Sequence, residues 1–311
     1  MLLTIINVVL PVFLLVGAGY GAVKWGLFPD AAVGPLMNFT QNFAIPAMLF
    51  LALYRLDFSA NFNVELMVSF YAGALVCFML GFLSGRMLFS MTPGESVALA
   101  FAAFYSNSVL LGLSIAGRAY GIDALGPNYA IVAIHAPILY FVGITAMEFA
   151  RADGRGAAAT MRTAGKSIFS NPITMACLLG IGANLIALPI PAAVTDAGDM
   201  LAKAGLPAAL FGLGGVLTRY AIRSSIAPAA VLTVISCIIH PAIAYGLTAH
   251  VFALDNSLVR SATVLAAMAP GVNAYVFSSI YDRANAEVAS TVIIATAASV
   301  FTAAGWLWVL A

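Results

Sequence analysis

The most useful chemical groups in this chain are neutral amides. Asn107 and Asn273 stand in two apolar stretches, "AFAAFYSNSVLLGLSIAGRAYG" and "VRSATVLAAMAPGVNAYVFSSIY". Each has neighbours that a lipid-facing helix has little reason to carry: Ser106, Ser108, Gly112 and Ser114 in the first, Pro270 and Gly271 in the second. A proline lacks the backbone donor and clashes with the preceding turn, and an adjacent glycine adds freedom, so Pro270 and Gly271 should interrupt their helix. About 11 residues lie on either side, and at about 1.5 Å of rise per residue the break falls near the middle of a bilayer. A helix beginning at such a point offers unpaired N–H groups and the positive end of its dipole, which together with the two side-chain amides suit an anion. On this reading Asn107, Ser108, Gly271 and Asn273 bind the substrate, and Gly112, Ser114 and Pro270 form the hinge.

Titratable groups are scarce inside the apolar stretches. His135 in "AIHAPIL" and His240 in "CIIHPAIAYG" are candidates for a proton relay, since histidine titrates near neutral pH. The competing role is a buried ring satisfied by a backbone carbonyl. Glu95, Glu148, Asp199, Asp282 and Glu287 all fall close to expected helix ends. Amide ligands without a buried acid fit a uniporter or an electrogenic anion carrier better than a sodium symporter, although unwound carbonyls alone can hold sodium. Proton and sodium coupling both stay open.

No metal or cofactor is expected. Cys77, Cys177 and Cys237 are scattered singly in apolar sequence and read as packing residues. There is no HExxH, GxSxG or paired aspartate, so a membrane-embedded enzyme is set aside.

The elements that position these groups follow from composition. The chain has 311 residues, 63% hydrophobic and only 8% charged, and its mean hydropathy is +1.03. Soluble domains carry about 25% charged residues, so this is a polytopic membrane protein. A formal net charge of +1 leaves no basic face for nucleic acid. The first apolar stretch has no basic residue before Lys24 and no small-residue cleavage site, so it is expected to span the membrane rather than to serve as a signal peptide.

Units of about 20 apolar residues give ten spans. They run over residues 3–24, 32–54, 64–89, 95–120, 128–149, 172–188, 197–220, 226–252, 258–281 and 286–309. The link "RADGRGAAATMRTAGK" holds Arg151, Arg155, Arg162 and Lys166 and is placed in the cytoplasm. Lys24, Arg86, Arg219, Arg223 and Arg283 then also lie inside, and both termini face outward, in a multi-pass protein of the bacterial inner membrane. "IPAMLFLAL" at residues 45–53 matches "LPAALFGLG" at residues 206–214, pairing Pro46 with Pro207 and Phe50 with Phe211. One match falls in the second span and the other in the seventh. Five spans per half is an odd number, so the halves should insert with opposite orientation. The expected fold is therefore all-α: two inverted five-helix repeats, residues 1–150 and 171–311, joined by a basic linker at 151–170, with the fourth and ninth helices broken. Gly212, Gly214 and Gly215 are expected where a mobile part slides on a fixed one. Trp25, Trp306 and Trp308 are expected to anchor span ends at the lipid headgroups.

"NFAIPAMLF", "SNSVLLGLSIAGRAYG" and "APGVNAYVFSSIYDRANAEVASTVIIATAASVFT" resemble the auxin efflux carrier family, which includes the plant PIN exporters and bacterial carriers of malonate and other dicarboxylates. The resemblance runs along essentially the whole chain. It implies a scaffold of helices 1, 2, 6 and 7 and a mobile transport domain of helices 3 to 5 and 8 to 10. It also implies that the broken helices 4 and 9 cross and that substrate moves by an elevator stroke. Asn107 and Asn273 would then hold the carboxylate of a small organic anion, and the scaffold would support a homodimer. Family members commonly carry a proline in the fourth helix where this chain has Ser114, which should loosen the helix only mildly by bonding back to the preceding turn. The alternatives are a sodium-coupled symporter of the bile-acid type, which shares a ten-helix plan, and a non-transporting receptor of the same fold.

Overall fold

Long apolar runs with polar caps dictate helices almost throughout. The computed structural model describes residues 2–151, 162, 165–166, 169–220 and 226–311. Most of the 151–170 linker, with Arg155, lies outside the described residues, as does Arg223. In chain order the main helices are α1 (Leu3–Lys24), α2 (Asp30–Tyr54), α3 (Val64–Leu88), α4 (Pro93–Phe104), α5 (Leu113–Tyr120) and α6 (Ile122–Ala150). They continue as α7 (Pro172–Leu185), α8 (Ala192–Leu217), α9 (Ile226–Val251), α10 (Asn256–Ala266), α11 (Val272–Tyr281) and α12 (Asn285–Val309). Seven of them, α1, α2, α3, α6, α8, α9 and α12, are long and apolar enough to cross a membrane. The stretches read as the fourth and ninth spans are each divided into two helices, and the sixth, α7, has 14 residues.

Sequence signals explain the starts. Thr92 and Glu95 satisfy each other's backbone N–H groups in a capping box at α4. At α7 the Asn171 side chain accepts from the N–H groups of Ile173 and Thr174, and Pro172 takes the first position, where no donor is needed. Within α2 the turn Thr40–Ala44 widens to π-helical geometry just before Pro46, whose missing N–H could not continue the regular ladder.

Two sets of helices pack within themselves. In the first, α1 lies along α8, and α2 packs on both α7 and α8. In the second, α3 packs on α4, α9 on α12 and α3, α10 on α3, α6 and α9, and α11 on α4 and α12. Lipid is as apolar as these side chains, so association depends on close fit rather than on escape from water. The glycines supply that fit in the first set. A Cβ at Gly19 would strike the Phe211 carbonyl, and one at Gly214 the Val16 carbonyl. Gly212 faces Met37 of α2, and Gly215 faces Val33 of α2 and Val23 of α1. The glycines of α8 therefore lock it to α1 and α2 and do not form a sliding boundary with the second set, which corrects the expectation. At Gly19 and Gly214 backbone meets backbone with no room for a side chain, and such contacts resist displacement.

Polar ties reinforce the first set. The Arg55 guanidinium grips the Asp199 carboxylate with two hydrogen bonds of 2.9 Å, joining the end of α2 to α8. The Asn184 amide donates to the carbonyls of Tyr54 and Leu56 at 2.6 and 2.9 Å. The sets meet where α1 touches α5 and α12 and where α6 touches α2 and α7. One tie there has a clear cause. Pro11, inside α1, has no N–H to give the carbonyl of Asn7 one turn earlier. Arg118 of α5 fills the gap, its Nη2 donating to Asn7 at 2.8 Å and its Nε to Val8 at 3.0 Å.

Trp25 and Trp308 are 80% and 61% exposed, as residues at the lipid interface would be. Trp306 departs from the anchor role. Its indole N–H donates to the Cys237 carbonyl at 3.1 Å, which ties α12 to α9.

Candidate functional site

Helix α4 stops at Phe104, and Tyr105 and Asn107 leave helical geometry with ψ of 79° and 57°. Helical turns resume at Ser108 and run into α5. In the other stretch α10 stops at Ala266 and α11 starts at Val272 after an extended Gly271, φ −78° and ψ 167°. The two gaps lie against each other. Ser106 and Pro270 form an antiparallel bridge, in which the Asn107 N–H donates to Ala269 at 2.8 Å and the Gly271 N–H donates to Tyr105 at 3.2 Å. Bare backbone groups away from water cost several kcal/mol each, so each broken stretch supplies what the other lost. Phe101 and Phe277 stack behind the bridge with centroids 3.9 Å apart and rings nearly parallel.

A cavity of about 60 Å³ opens beside this junction. Asn107, Ser108, Gly271, Asn273 and His135 line it together. Gly112 and Ser114 do not, since both lie beyond the break in helical backbone. The chain thus turns at Tyr105–Asn107, one to two helical turns ahead of the expected hinge residues, while Pro270 sits in the bridge itself. A Cβ at Gly271 would rest 3.6 Å from the Asn107 side chain, an ordinary contact, so crowding does not demand glycine there.

Each amide has a defined job. Asn107 accepts the Leu110 N–H on its Oδ1 at 3.3 Å, capping the helix that starts at Ser108, so the Nδ2 group is its remaining donor. The Asn273 Nδ2 donates to the Tyr105 hydroxyl at 3.3 Å. The Ser106 and Ser108 hydroxyls bond to each other at 2.8 Å. His135 lies 3.2 Å from the Ser106 carbonyl through Nε2. A carbonyl only accepts, so Nε2 carries the proton, and the ring braces the broken strand. Its Nδ1 is buried and has no partner among the described residues. His240 repeats this arrangement on the Phe70 carbonyl at 3.2 Å and stands outside the cavity. The rings of Phe70 and the two histidines adjoin, with centroids 5.7 Å apart for His135 and 5.0 Å for His240.

Three polar lining residues escaped the sequence reading: Tyr105, Gln41 of the π-helical turn in α2, and Asn171 at the start of α7. The polar run "NFTQNF" ahead of Pro46 and the Asn171–Pro172 cap signature were the available signals. With Asn171 a third helix start borders the cavity beside those at Ser108 and Val272. At α7 the first-turn N–H groups are already capped by Asn171, and the Leu110 N–H is capped by Asn107, so the spare first-turn donors are those of Val272 and Asn273. Among the described lining residues there is no aspartate, glutamate, lysine or arginine. What the lining offers is amide, hydroxyl and first-turn N–H groups without a formally charged side chain.

A larger cavity, about 520 Å³, lies elsewhere between α1 and α8 on one side and α5 on the other. Its wall is mainly aliphatic, with Leu15, Leu113, Leu206 and Leu210, and it also holds Ser114, Arg118 and Lys203. Among the described residues no group of three or more His, Cys, Asp or Glu side chains could hold a metal ion.

A family model described as "Membrane transport protein" matches residues 4–307. The chain is 25% identical over 306 residues to a Rhizobium meliloti (strain 1021) protein named "Putative malonate transporter", covering 98% of this chain and 96% of that one. It is 28% identical over 291 residues to an "Uncharacterized transporter" of Methanothermobacter thermautotrophicus, covering 92% and 91%. A third relative, "Uncharacterized transporter YfdV" of Escherichia coli (strain K12), is 22% identical over 315 residues, covering 99% and 98%.

Proposed function

The chain belongs to the membrane transport protein family, the auxin efflux carriers, and on that premise we propose that it is a secondary carrier of a small organic anion held at the junction of its two broken spans. The observation that carries this reading is the convergence of the Asn107 and Asn273 amides and the start of α11 on one cavity whose described lining carries no charged side chain. A preorganised set of N–H donors holds a carboxylate without a counter-charge that would have to move with it. The name of the Rhizobium relative directs the first assays to malonate and other short carboxylates.

In this proposal the ten crossings form two inverted halves, residues 1–150 and 171–311. The set of α1, α2, α7 and α8, welded by its glycines, is the scaffold and the dimer face. The remaining helices move as a body that carries the junction, in an elevator stroke across the inner membrane with both termini outside. Support comes from the packing of each set within itself and from a cavity lined by both.

The test is uptake of radiolabelled malonate into proteoliposomes by wild type, Asn107→Ala and Asn273→Ala. Either variant should lose at least about tenfold in uptake, the scale for losing one charge-assisted hydrogen bond. Unchanged uptake in both removes the site. Strict dependence on a sodium gradient would favour the symporter alternative, and binding without flux would favour the receptor.

A further inference from the structure

The cavity restricts the charge of its occupant, not only its class. One wall, from the broken spans, is built of donors: the Asn107 and Asn273 amides and the first-turn N–H groups of Val272 and Asn273. The lining from the other helix set is Gln41 and Asn171 with the apolar Ile45 and Ile173. Asn171 Oδ1 already accepts the Ile173 and Thr174 N–H groups. Gln41 has no hydrogen-bond partner among the described residues. Gln41 therefore keeps a free amide oxygen beside its NH2 group and can accept from a protonated carboxyl, whereas the Asn107 and Asn171 oxygens are already taken.

Several charges on the surrounding elements are engaged elsewhere. Asp30 pairs with Arg219, Arg55 with Asp199, Arg118 binds the α1 carbonyls, and Arg260 lies over the Tyr120 ring. The titratable groups of the lining are His135, bonded to Ser106, and Tyr105, bonded to Asn273. Among the described residues no cation lines this space, so a second negative charge would lie close to the first in a setting that screens charge weakly.

We infer that the carrier takes short organic acids bearing a single negative charge, so that a dicarboxylic acid enters as its monoanion, with the protonated end on Gln41. This rests on the proposed carboxylate site at Asn107 and Asn273. It makes transport of a dicarboxylate carry one proton in with the substrate, without a titrating residue in the protein.

Calorimetric binding of malonate and of monomethyl malonate to the purified protein, over a range of pH, tests it. Apparent affinity for malonate should fall about tenfold per pH unit above its second ionisation, while affinity for the ester, always a monoanion there, stays flat. The ester also corrects for any titration of the protein itself. Gln41→Lys should supply the missing cation, flattening the malonate profile and leaving the ester weaker. Malonate binding that holds constant or strengthens as the dianion forms, yet still fails in Asn107→Ala and Asn273→Ala, overturns the charge rule and leaves the carrier site standing. Binding of both ligands unaffected by those two substitutions overturns the site and the rule together. An unchanged pH profile in Gln41→Lys overturns the role of that side chain.

Discussion

Two broken stretches meet in this protein, and they break for different reasons. Between α10 and α11 the residue types forbid continuation, because Pro270 offers no donor and Gly271 no stiffness. Between α4 and α5 the break falls on Tyr105, Ser106 and Asn107, none of which is a proline or glycine. Its cause is the partner. The Asn107 N–H and the Tyr105 carbonyl bond across to Ala269 and Gly271, and His135 holds the Ser106 carbonyl between them. Local chemistry makes one edge of the junction, and the second edge is shaped by the first. The candidate site assembled this way depends on both spans at once.

The sharpest way to separate the edges is through their two asparagines. Asn107 both caps a helix and lines the cavity, whereas Asn273 lines the cavity and bonds only to Tyr105. Asn107→Asp should keep the cap while placing a negative charge in the anion site, and uptake should fall by about a hundredfold, more than for either alanine variant. Asn107→Ala should cost about 1 kcal/mol of stability besides its loss of uptake, and Asn273→Ala less than about 0.5. Thermal unfolding in detergent reads the difference. Equal stability losses would mean that the cap does not distinguish the two edges.

Smaller effects probe the pairing itself. Tyr105→Phe removes the hydroxyl that orients Asn273, and KM for the transported anion should rise about two- to fivefold with the maximal rate nearly kept. If cross-pairing rather than proline maintains the junction, Pro270→Ala should leave the gap open and uptake within about twofold of wild type. A continuous helix from 256 to 281 in a cryo-EM map of that variant would show that the proline alone holds both breaks apart. Least of all should happen in Ser114→Pro, which restores the family's common residue. The turn is already made upstream, so melting temperature and uptake should stay near wild type, and a large loss would mean that α5 relies on the Ser114 N–H.

These reasons also explain what the sequence could reveal. Pro270, Gly271 and Asn273 were readable because their effect on the backbone is local, and the apolar runs announced the long helices for the same reason. Tyr105 carried no such mark, since its departure from the helix is imposed by residues 168 positions away in the Asn273 contact and nearby in the bridge. Gln41 and Asn171 come from helices that meet the junction only after packing, so spacing along the chain could not place them. The glycines of α8 were rightly read as close contacts and assigned the wrong neighbour, because composition says that backbones approach and not which ones. For the histidines the fold shows the competing reading, a buried ring satisfied by a backbone carbonyl, at both His135 and His240.

Pro11 leaves a last consequence. Arg118 supplies the Asn7 oxygen with the donor that Pro11 lacks, and the two residues lie on helices from different packed sets. A stroke that parts α5 from α1 would strip that oxygen of its donor, and because Asn7 and Arg118 are both exposed, water or a headgroup would have to take the place of the guanidinium. Movement between the sets would thereby be coupled to solvation at this spot, so osmolytes that withdraw water should slow turnover more than they weaken substrate affinity.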